Sequence, residues 1–224
     1  AVVAGSHGSD LLLSLAGLVA VVYLCFFSVL FVYFLFLLFF VKVNPVIFFK
    51  KMFEVQLIAF STTSSMATLS KNIEVTCDGL GVSRSIAKFV LPLGSTVNMN
   101  GLAAYLTVMA VFSAKLYGIS LSFIDMGLVI LTSTLATVGC AGVPSAGVVV
   151  LPIVLGAIGV PLEAVGLLVA INRIIDMFST VVNVTGDTFT AVVIAKSEKE
   201  LDLVAYDSML GDDLNKLATA ATQS

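Results

Sequence analysis

The stretch AVGLLVAINRIIDMFSTVVNVTGDTFTAVVIAK, Ala164 to Lys196, decides how the rest of the chain is read. It is long and apolar enough to cross a bilayer, yet it carries Asn172, Arg173, Asp176, Ser179, Thr180, Asn183 and Asp187. With about 100° of rotation per residue, Asn172, Ser179, Thr180, Asn183 and Asp187 all come within about 60° of Asp176 on a helical wheel. Ile174, Val181 and Phe189 lie off that stripe. An ionisable group at membrane depth costs about 2.5–3.5 kcal/mol on insertion scales, so such groups normally face a cavity, a partner or an ion path. The helix reads as one wall of a polar binding site inside a membrane.

Composition puts the other segments in the same setting. The 224 residues are 59% hydrophobic and only 11% charged, with a mean hydropathy of +1.12, well beyond a soluble domain. The net charge of −3 sits mostly in loops and the tail, and no basic cluster with interleaved aromatics points to nucleic acid. Cys25, Cys77 and Cys140 are odd in number and unrelated in spacing, so neither a disulfide framework nor a metal knuckle follows. The sole histidine, His7, falls in the polar leader 1–10, so no nucleophile–histidine pair is available within the membrane and no enzyme is expected. That leader lacks a basic n-region and a cleavage signature; it reads as an extracellular leader or a fragment start, not a signal peptide.

Taken in order, Leu11 to Val41 contains no charge and, at ~1.5 Å per residue, exceeds the ~30 Å hydrocarbon core. It spans, and Lys42, Asn44, Pro45, Lys50 and Lys51 mark its end. Residues 46–80 follow as two half-length arms around the polar tip STTSSMATLS, Ser61 to Ser70, which suggests a re-entrant hairpin; an ordinary polar loop is the alternative. The span 83–117 is interrupted by LPLGSTVNMNG, Leu91 to Gly101, where Pro92, Gly94 and Gly101 weaken helical continuity. A helix broken there frees carbonyls for a hard monovalent cation, beside the amide oxygens of Asn98 and Asn100. A packed proline kink is the blander reading.

Residues 126–161 repeat the hairpin pattern more clearly. The arms Met126–Val138 and Val148–Val160 flank the tip GCAGVPSAG, Gly139 to Gly147. Arms of about 13 residues reach roughly 20 Å as helix, too short to span and long enough to reach mid-bilayer. The tail 197–224 reads as a solvated cytoplasmic appendage with room for a short amphipathic helix. If the first span ends in the cytoplasm, Lys42, Lys50, Lys51, Lys71, Arg84, Lys88, Lys196, Lys199 and Lys216 are all cytoplasmic, as the positive-inside rule favours. The two hairpins then enter from opposite sides, each beside a broken or polar helix. Such an inverted repeat is expected of a secondary transporter with its site near the midplane.

The motifs FSTTSSMATL, LPLGSTVNMNG, GCAGVPSAG and IIDMFSTVVNVTGD, in this order, closely resemble the glutamate transporter family, the dicarboxylate/amino acid:cation symporters. The resemblance runs from about Leu11 to Leu201 and matches the C-terminal half of that fold. It implies an all-α membrane protein: a transport-domain core with two re-entrant helical hairpins and a broken helix, multi-pass in a plasma or bacterial inner membrane. It also implies sodium-coupled amino-acid symport by an elevator movement within a homotrimer, whose scaffold this stretch does not supply.

By the same resemblance, Asp176 holds the substrate's ammonium, as a desolvated carboxylate prefers, and Thr180 and Asn183 contact the amino acid. Ser65, Val143 and Gly147 grip its carboxylate or gate it. Gly94, Asn98, Asn183 and Asp187 match one sodium site, and Thr96, Met99, Thr137, Val138 and Cys140 match a second. Ser179 lines the substrate pocket but stands where acidic-substrate members carry an arginine. Thr63 supplies none either, Asn172 stands where an acidic residue often supports that arginine, and Leu102 replaces a pocket hydroxyl. Arg173, about 100° or more from Ser179 on the wheel, is a poor substitute. An unpaired side-chain carboxylate in a dry pocket is costly, so a small neutral amino acid such as alanine, serine or threonine is expected. An acidic amino acid or dicarboxylate is the alternative, as is a non-transporting fragment. Asn100 replaces an acidic residue associated with a third cation site, which points to fewer sodium ions per cycle.

Two further alternatives attach to single residues: an i,i−3 ion pair between Arg173 and Asp176, and a water-facing position for Asp187. An intramembrane aspartyl protease needs two carboxylates within hydrogen-bond reach, whereas Asp176 and Asp187 are ~16 Å apart on one helix. A cation channel would use the same oxygens without saturation by an amino acid.

Overall fold

The computed structural model describes residues 8–208. The leader up to His7 and the end of the tail, Lys216 included, lie outside the described residues. Among the described residues, eight α-helices precede the tail, in chain order: α1 Gly8–Phe36, α2 Pro45–Thr62, α3 Ser65–Glu74, α4 Arg84–Val97, α5 Asn100–Leu116, α6 Phe123–Thr137, α7 Ala146–Ala157 and α8 Ala164–Ser197. Among the described residues the only β-type pairing is an isolated bridge, Val82 to Leu201. Leu12–Val41, Arg84–Leu116 and Ala164–Ser197 are each long and apolar enough to cross a membrane, whereas α6 and α7 are too short.

Local chemistry sets the boundaries. α1 runs into a π-helical turn, Leu37–Val41, and Lys42 ends it in the left-handed region at φ 58°. Asn44 then caps α2 by accepting from the Val46 N–H at 2.9 Å, with Pro45 at the first helical position where its missing N–H costs nothing. Between α2 and α3 only Thr63 and Ser64 are non-helical: Thr63 turns at φ 52°, and the Ser64 hydroxyl accepts from the Ala67 N–H at 3.2 Å. Ser122 and Asp125 form a reciprocal capping box at the start of α6.

The interruption between α4 and α5 falls inside the expected stretch Leu91–Gly101, beyond Pro92 and Gly94 and just before Gly101. α4 continues through Pro92 and Gly94 to Val97, and the backbone leaves the helix only at Asn98 (φ −98°, ψ 61°) and Met99 (φ −97°, ψ 58°). The break is therefore six residues beyond the proline, and a simple proline kink does not account for it.

α8 is the pillar of the fold. At ~1.5 Å per residue its 34 residues reach about 51 Å. Every residue from Ser179 to Thr188 is buried, so its middle is enclosed on all sides. Two apolar clusters pack along it. One joins Phe26, Tyr105, Leu106, Met109, Leu151 and Leu155 to Ile175 and Val182. The other joins Phe48, Met52, Leu80 and Leu91 to Val184, Val192 and Tyr206. The polar residues of α8 lie at the seam between them.

The beginning of the tail is not a solvated appendage. Ser83 N–H donates to Glu200 O at 3.2 Å and Asp202 N–H to Gly81 O at 2.8 Å. Residues 203–208 turn helical and bury Tyr206 completely, its hydroxyl donating to Asn44 O at 3.0 Å. The Lys51 ammonium donates to Gly79 O, Ala205 O and Tyr206 O at 2.7–2.8 Å. The apolar ring of Tyr206 and the carbonyls gathered by Lys51 draw the segment back onto the foot of the α2–α3 pair.

Candidate substrate and cation site

Six helices converge where the tips of α2–α3 and α6–α7 meet the middle of α8 and the start of α5. They enclose a cavity of about 20 Å³ whose wall includes Thr63, Ser65, Met99, Val143, Asp176, Ser179, Thr180 and Asn183. Its size admits about one water molecule. Leu102, Ala141, Gly142 and Ala146 complete the lining. The larger groove of about 720 Å³ between α1 and α5 is apolar apart from Ser14, Thr107 and Lys115 and contains no carboxylate.

Asp176 is 5% exposed, and its Oδ2 accepts the backbone N–H of Ser145 at 2.8 Å. Ser145 holds φ 62°, a conformation few non-glycine residues adopt. Asn172 connects the tip to α5: Tyr105 Oη donates to its Oδ1 at 2.7 Å, and its Nδ2 donates to Ser145 Oγ at 3.3 Å. The two tips are also joined to each other, since Gly142 O accepts from Ser64 Oγ at 2.7 Å and from the Met66 N–H at 3.2 Å. Gly147 packs beneath the tip, where an added Cβ would crowd Tyr105 and Leu102; it does not line the cavity. Arg173 makes no ion pair with Asp176. Its Nη1 donates to Thr63 Oγ1 at 2.8 Å and its Nη2 to Ser61 O at 3.5 Å, across to the α2–α3 tip.

A second polar centre surrounds Asp187, about three turns along α8 from Asp176. Asp187 is 1% exposed, which removes the water-facing alternative. Asn98 Nδ2 donates to its Oδ1 at 3.2 Å, and Gly94 presses so close that an added Cβ would stand 2.5 Å from that oxygen. Asn183 Oδ1 accepts the Gly101 N–H at 2.8 Å, fixing α5 against α8 just past the break. Asn100 Nδ2 donates to Asn98 Oδ1 at 2.7 Å and to Tyr33 Oη at 2.8 Å. Gly94, Asn98, Asn183 and Asp187 are thus gathered around the α4–α5 break. A buried carboxylate with a single amide partner suits a cation of its own. Asn98 can also present an oxygen by turning its amide. Among the described residues no three His, Cys, Asp or Glu side chains cluster as for a transition metal, so the donor set is one of hard oxygens.

The remaining five candidate ligands are arranged more loosely. Thr96 O accepts the Gly139 N–H at 2.9 Å, which sets the end of α4 beside Thr137, Val138 and Cys140, while Met99 lines the cavity. The carbonyls of Thr96 and Thr137 already accept backbone N–H groups here, and Val138 is half exposed. The functional groups least visible from sequence are the Ser145 amide and the Gly142 carbonyl, because backbone groups carry no residue-type signal. Arg173 was visible as a residue; its reach across to Thr63 was not.

The model of the sodium:dicarboxylate symporter family matches residues 1–197. The chain belongs to that family. It is similar to an "Excitatory amino acid transporter" of Caenorhabditis elegans, at 42% identity over 175 residues, covering 77% of this chain and 35% of the relative. It is also similar to "Excitatory amino acid transporter 2" of Homo sapiens (39% over 177 residues, 79% of this chain and 31% of the relative). "Excitatory amino acid transporter 3" of Mus musculus matches at 42% over 169 residues, 75% of this chain and 32% of the relative. The chain spans about a third of the length of these relatives. Its family is one of integral membrane transporters, not of enzymes.

Proposed function

We propose that this chain is the substrate- and sodium-holding core of a sodium-coupled symporter for an amino acid. The observation that carries the reading is a pair of buried carboxylates at two levels of α8. Asp176 opens onto the cavity between the helix tips, and Asp187 lies against the α4–α5 break. Each suits a different cation. Asp176, which accepts the tip amide of Ser145, suits the ammonium of an α-amino acid. Asp187, among amide and carbonyl oxygens, suits Na+ as the co-transported ion. Ser65, Thr180, Asn183 and the Val143 tip supply the remaining substrate contacts, with Ser179 alongside.

The cavity is too small for an amino acid, so admission requires the α6–α7 tip to withdraw and the Ser145 N–H to yield Asp176 to the substrate. In this reading both helix pairs are re-entrant hairpins. Non-helical backbone at membrane depth is tolerated where protein encloses it, and the tips enclose each other through Gly142. An elevator movement of this core against a scaffold, within a homotrimer, is the transport step the reading implies.

The family description names a dicarboxylate, and the relatives' names an excitatory amino acid. An amino acid that is also a dicarboxylate carries a second carboxylate, and we favour this acidic class over the small neutral one. The neutral reading retains one observation: Ser179 is buried in the cavity wall and no arginine or lysine is among the lining residues. The test is equilibrium binding of labelled L-aspartate and L-serine to the purified chain in lipid nanodiscs, in sodium, lithium or choline chloride. Sodium-dependent, saturable binding is expected. Binding indifferent to sodium, or ion conduction without amino-acid saturation, would overturn the reading.

A further inference from the structure

We propose that Tyr33 and Asn100 are positioning residues of the cation site and that they act on it through the side-chain amide of Asn98. The inference rests on the functional reading above and adds how the site distinguishes a bound cation from none. Tyr33 on α1, Asn98 in the α4–α5 break, Asn100 on α5 and Asp187 on α8 form one chain of hydrogen bonds. Asn98 Nδ2 donates to Asp187 Oδ1 at 3.2 Å, and Asn98 Oδ1 accepts from Asn100 Nδ2 at 2.7 Å. The same Asn100 nitrogen donates to Tyr33 Oη at 2.8 Å. Both ends of the chain are buried, with Asp187 1% and Tyr33 7% exposed.

The chain has a direction, and one donor is left over at its end. Tyr33 Oη accepts from Asn100, but its own hydrogen meets no acceptor among the described residues. A buried O–H without a partner is costly. At the other end the amide nitrogen of Asn98 faces the carboxylate, an arrangement that satisfies an anion and repels a cation.

A half-turn of both amides reverses the chain and leaves its three heavy-atom separations as they are, because nitrogen and oxygen simply change places. Asn98 Nδ2 then donates to Asn100 Oδ1. The Tyr33 hydroxyl donates to that same oxygen, which has two lone pairs to receive both. Asn98 Oδ1 comes to face Asp187 Oδ1, and two oxygens so placed repel unless a cation lies against them. The reversed chain thus pairs the hydrogen that Tyr33 leaves over and turns Asn98 into a hard-oxygen ligand beside the carboxylate. Tyr33 can end the chain in either direction, since a hydroxyl both donates and accepts. Asn100 can transmit either direction, whereas an aspartate in its place could only accept. Tyr33 therefore favours the cation-ready orientation, and Asn100 carries that preference to Asn98.

The experiment is a double-mutant cycle on wild type, Tyr33→Phe, Asn100→Ala and the double variant in nanodiscs. Sodium is titrated at constant ionic strength and read twice, by L-aspartate binding and by the unfolding temperature without amino acid. Phenylalanine keeps the ring, stacked on Phe189 with 4.6 Å between centroids, and removes only the hydroxyl. Each single variant should raise the half-saturating sodium concentration about fivefold or more. The double variant should match the larger single effect within about twofold, since either change cuts the same chain. L-Aspartate affinity at saturating sodium should stay within about threefold of wild type. Effects that multiply in the double variant, or an equal loss of L-aspartate affinity at saturating sodium, would make the two residues separate packing contacts and overturn the proposal. So would an unchanged half-saturation in Tyr33→Phe, which decides alone if Asn100→Ala does not fold. The symporter reading would survive any of these results as long as wild type binds in sodium. A wild type that neither binds L-aspartate or L-serine nor gains stability in sodium would defeat both.

Discussion

Replacing Gly94 with alanine tests the cation site without altering any side chain in it. The added methyl carbon would stand 2.5 Å from Asp187 Oδ1 and 2.8 Å from its Cγ, where ordinary contact begins at 3.4 Å. The carboxylate or the backbone of α4 must therefore shift by about 0.9 Å, while cation–oxygen distances tolerate about 0.2 Å. Stability should change little. Alanine for glycine inside a helix gains up to about 1 kcal/mol, and crowding of a packed interior costs about 1–3 kcal/mol, leaving a net loss of about 0–2 kcal/mol. Sodium affinity should change much more. Disturbing the shell of a metal ligand typically costs about 10–100-fold, or roughly 1.4–2.8 kcal/mol. The assay is amino-acid binding titrated with sodium at constant ionic strength, alongside thermal unfolding with sodium or choline. The half-saturating sodium concentration should rise at least tenfold while the unfolding temperature in choline moves by only a few degrees. A folded variant with unchanged half-saturation would show that Gly94 and Asp187 do not hold the ion.

Asp176→Ala should abolish amino-acid binding while sodium still raises the unfolding temperature; unchanged amino-acid affinity would refute its role as the ammonium partner. Ser179→Arg brings a guanidinium to the cavity wall and should favour L-aspartate over L-serine by at least a further tenfold, and unaltered selectivity in competition binding would count against the cavity as the substrate pocket. Tyr206→Phe removes one hydrogen bond and should cost about 0.5–1.5 kcal/mol. Tyr206→Ala empties a fully buried site and should cost about 3–5 kcal/mol; equal unfolding midpoints for the two would show that the ring contributes nothing. Gly147→Ala crowds Tyr105 and should slow tip closure, read as faster hydrogen exchange at residues 139–147; wild-type protection would speak against tight packing there.

The polar stripe of α8 was legible because a repeat near 3.6 residues needs no partner to be seen. The short arms were legible by length alone. The stretch holding the break, Leu91–Gly101, was legible, but the residues at which the backbone leaves the helix were not. Pro92 and Gly94 are the obvious breakers, but the backbone leaves the helix at Asn98 and Met99, where Asn98 bonds Asp187 and Gly101 bonds Asn183. Tertiary contacts chose the position, and local propensity only permitted it. The reach of Arg173 to Thr63 was not legible for a related reason. A wheel gives the direction of a Cβ, whereas a long side chain can cross to another element. The tail was misread because one tyrosine in a charged segment is a weak signal, and the carbonyls that Lys51 gathers leave no mark in residue type.

The seam made by Lys51 and Tyr206 gives the two helix pairs unequal mechanical freedom. The foot of α2–α3 is riveted to the chain beyond α8 by Glu200, Asp202, Ala205 and Tyr206. α7 leads into α8 through residues 158–163 with no comparable stitching. A pull on the core would carry α2–α3 along with α8 as one piece, and α6–α7 would hinge as the flap. Spin labels at Val143 and Leu203, both solvent-accessible, would therefore report on a swinging door and on its frame.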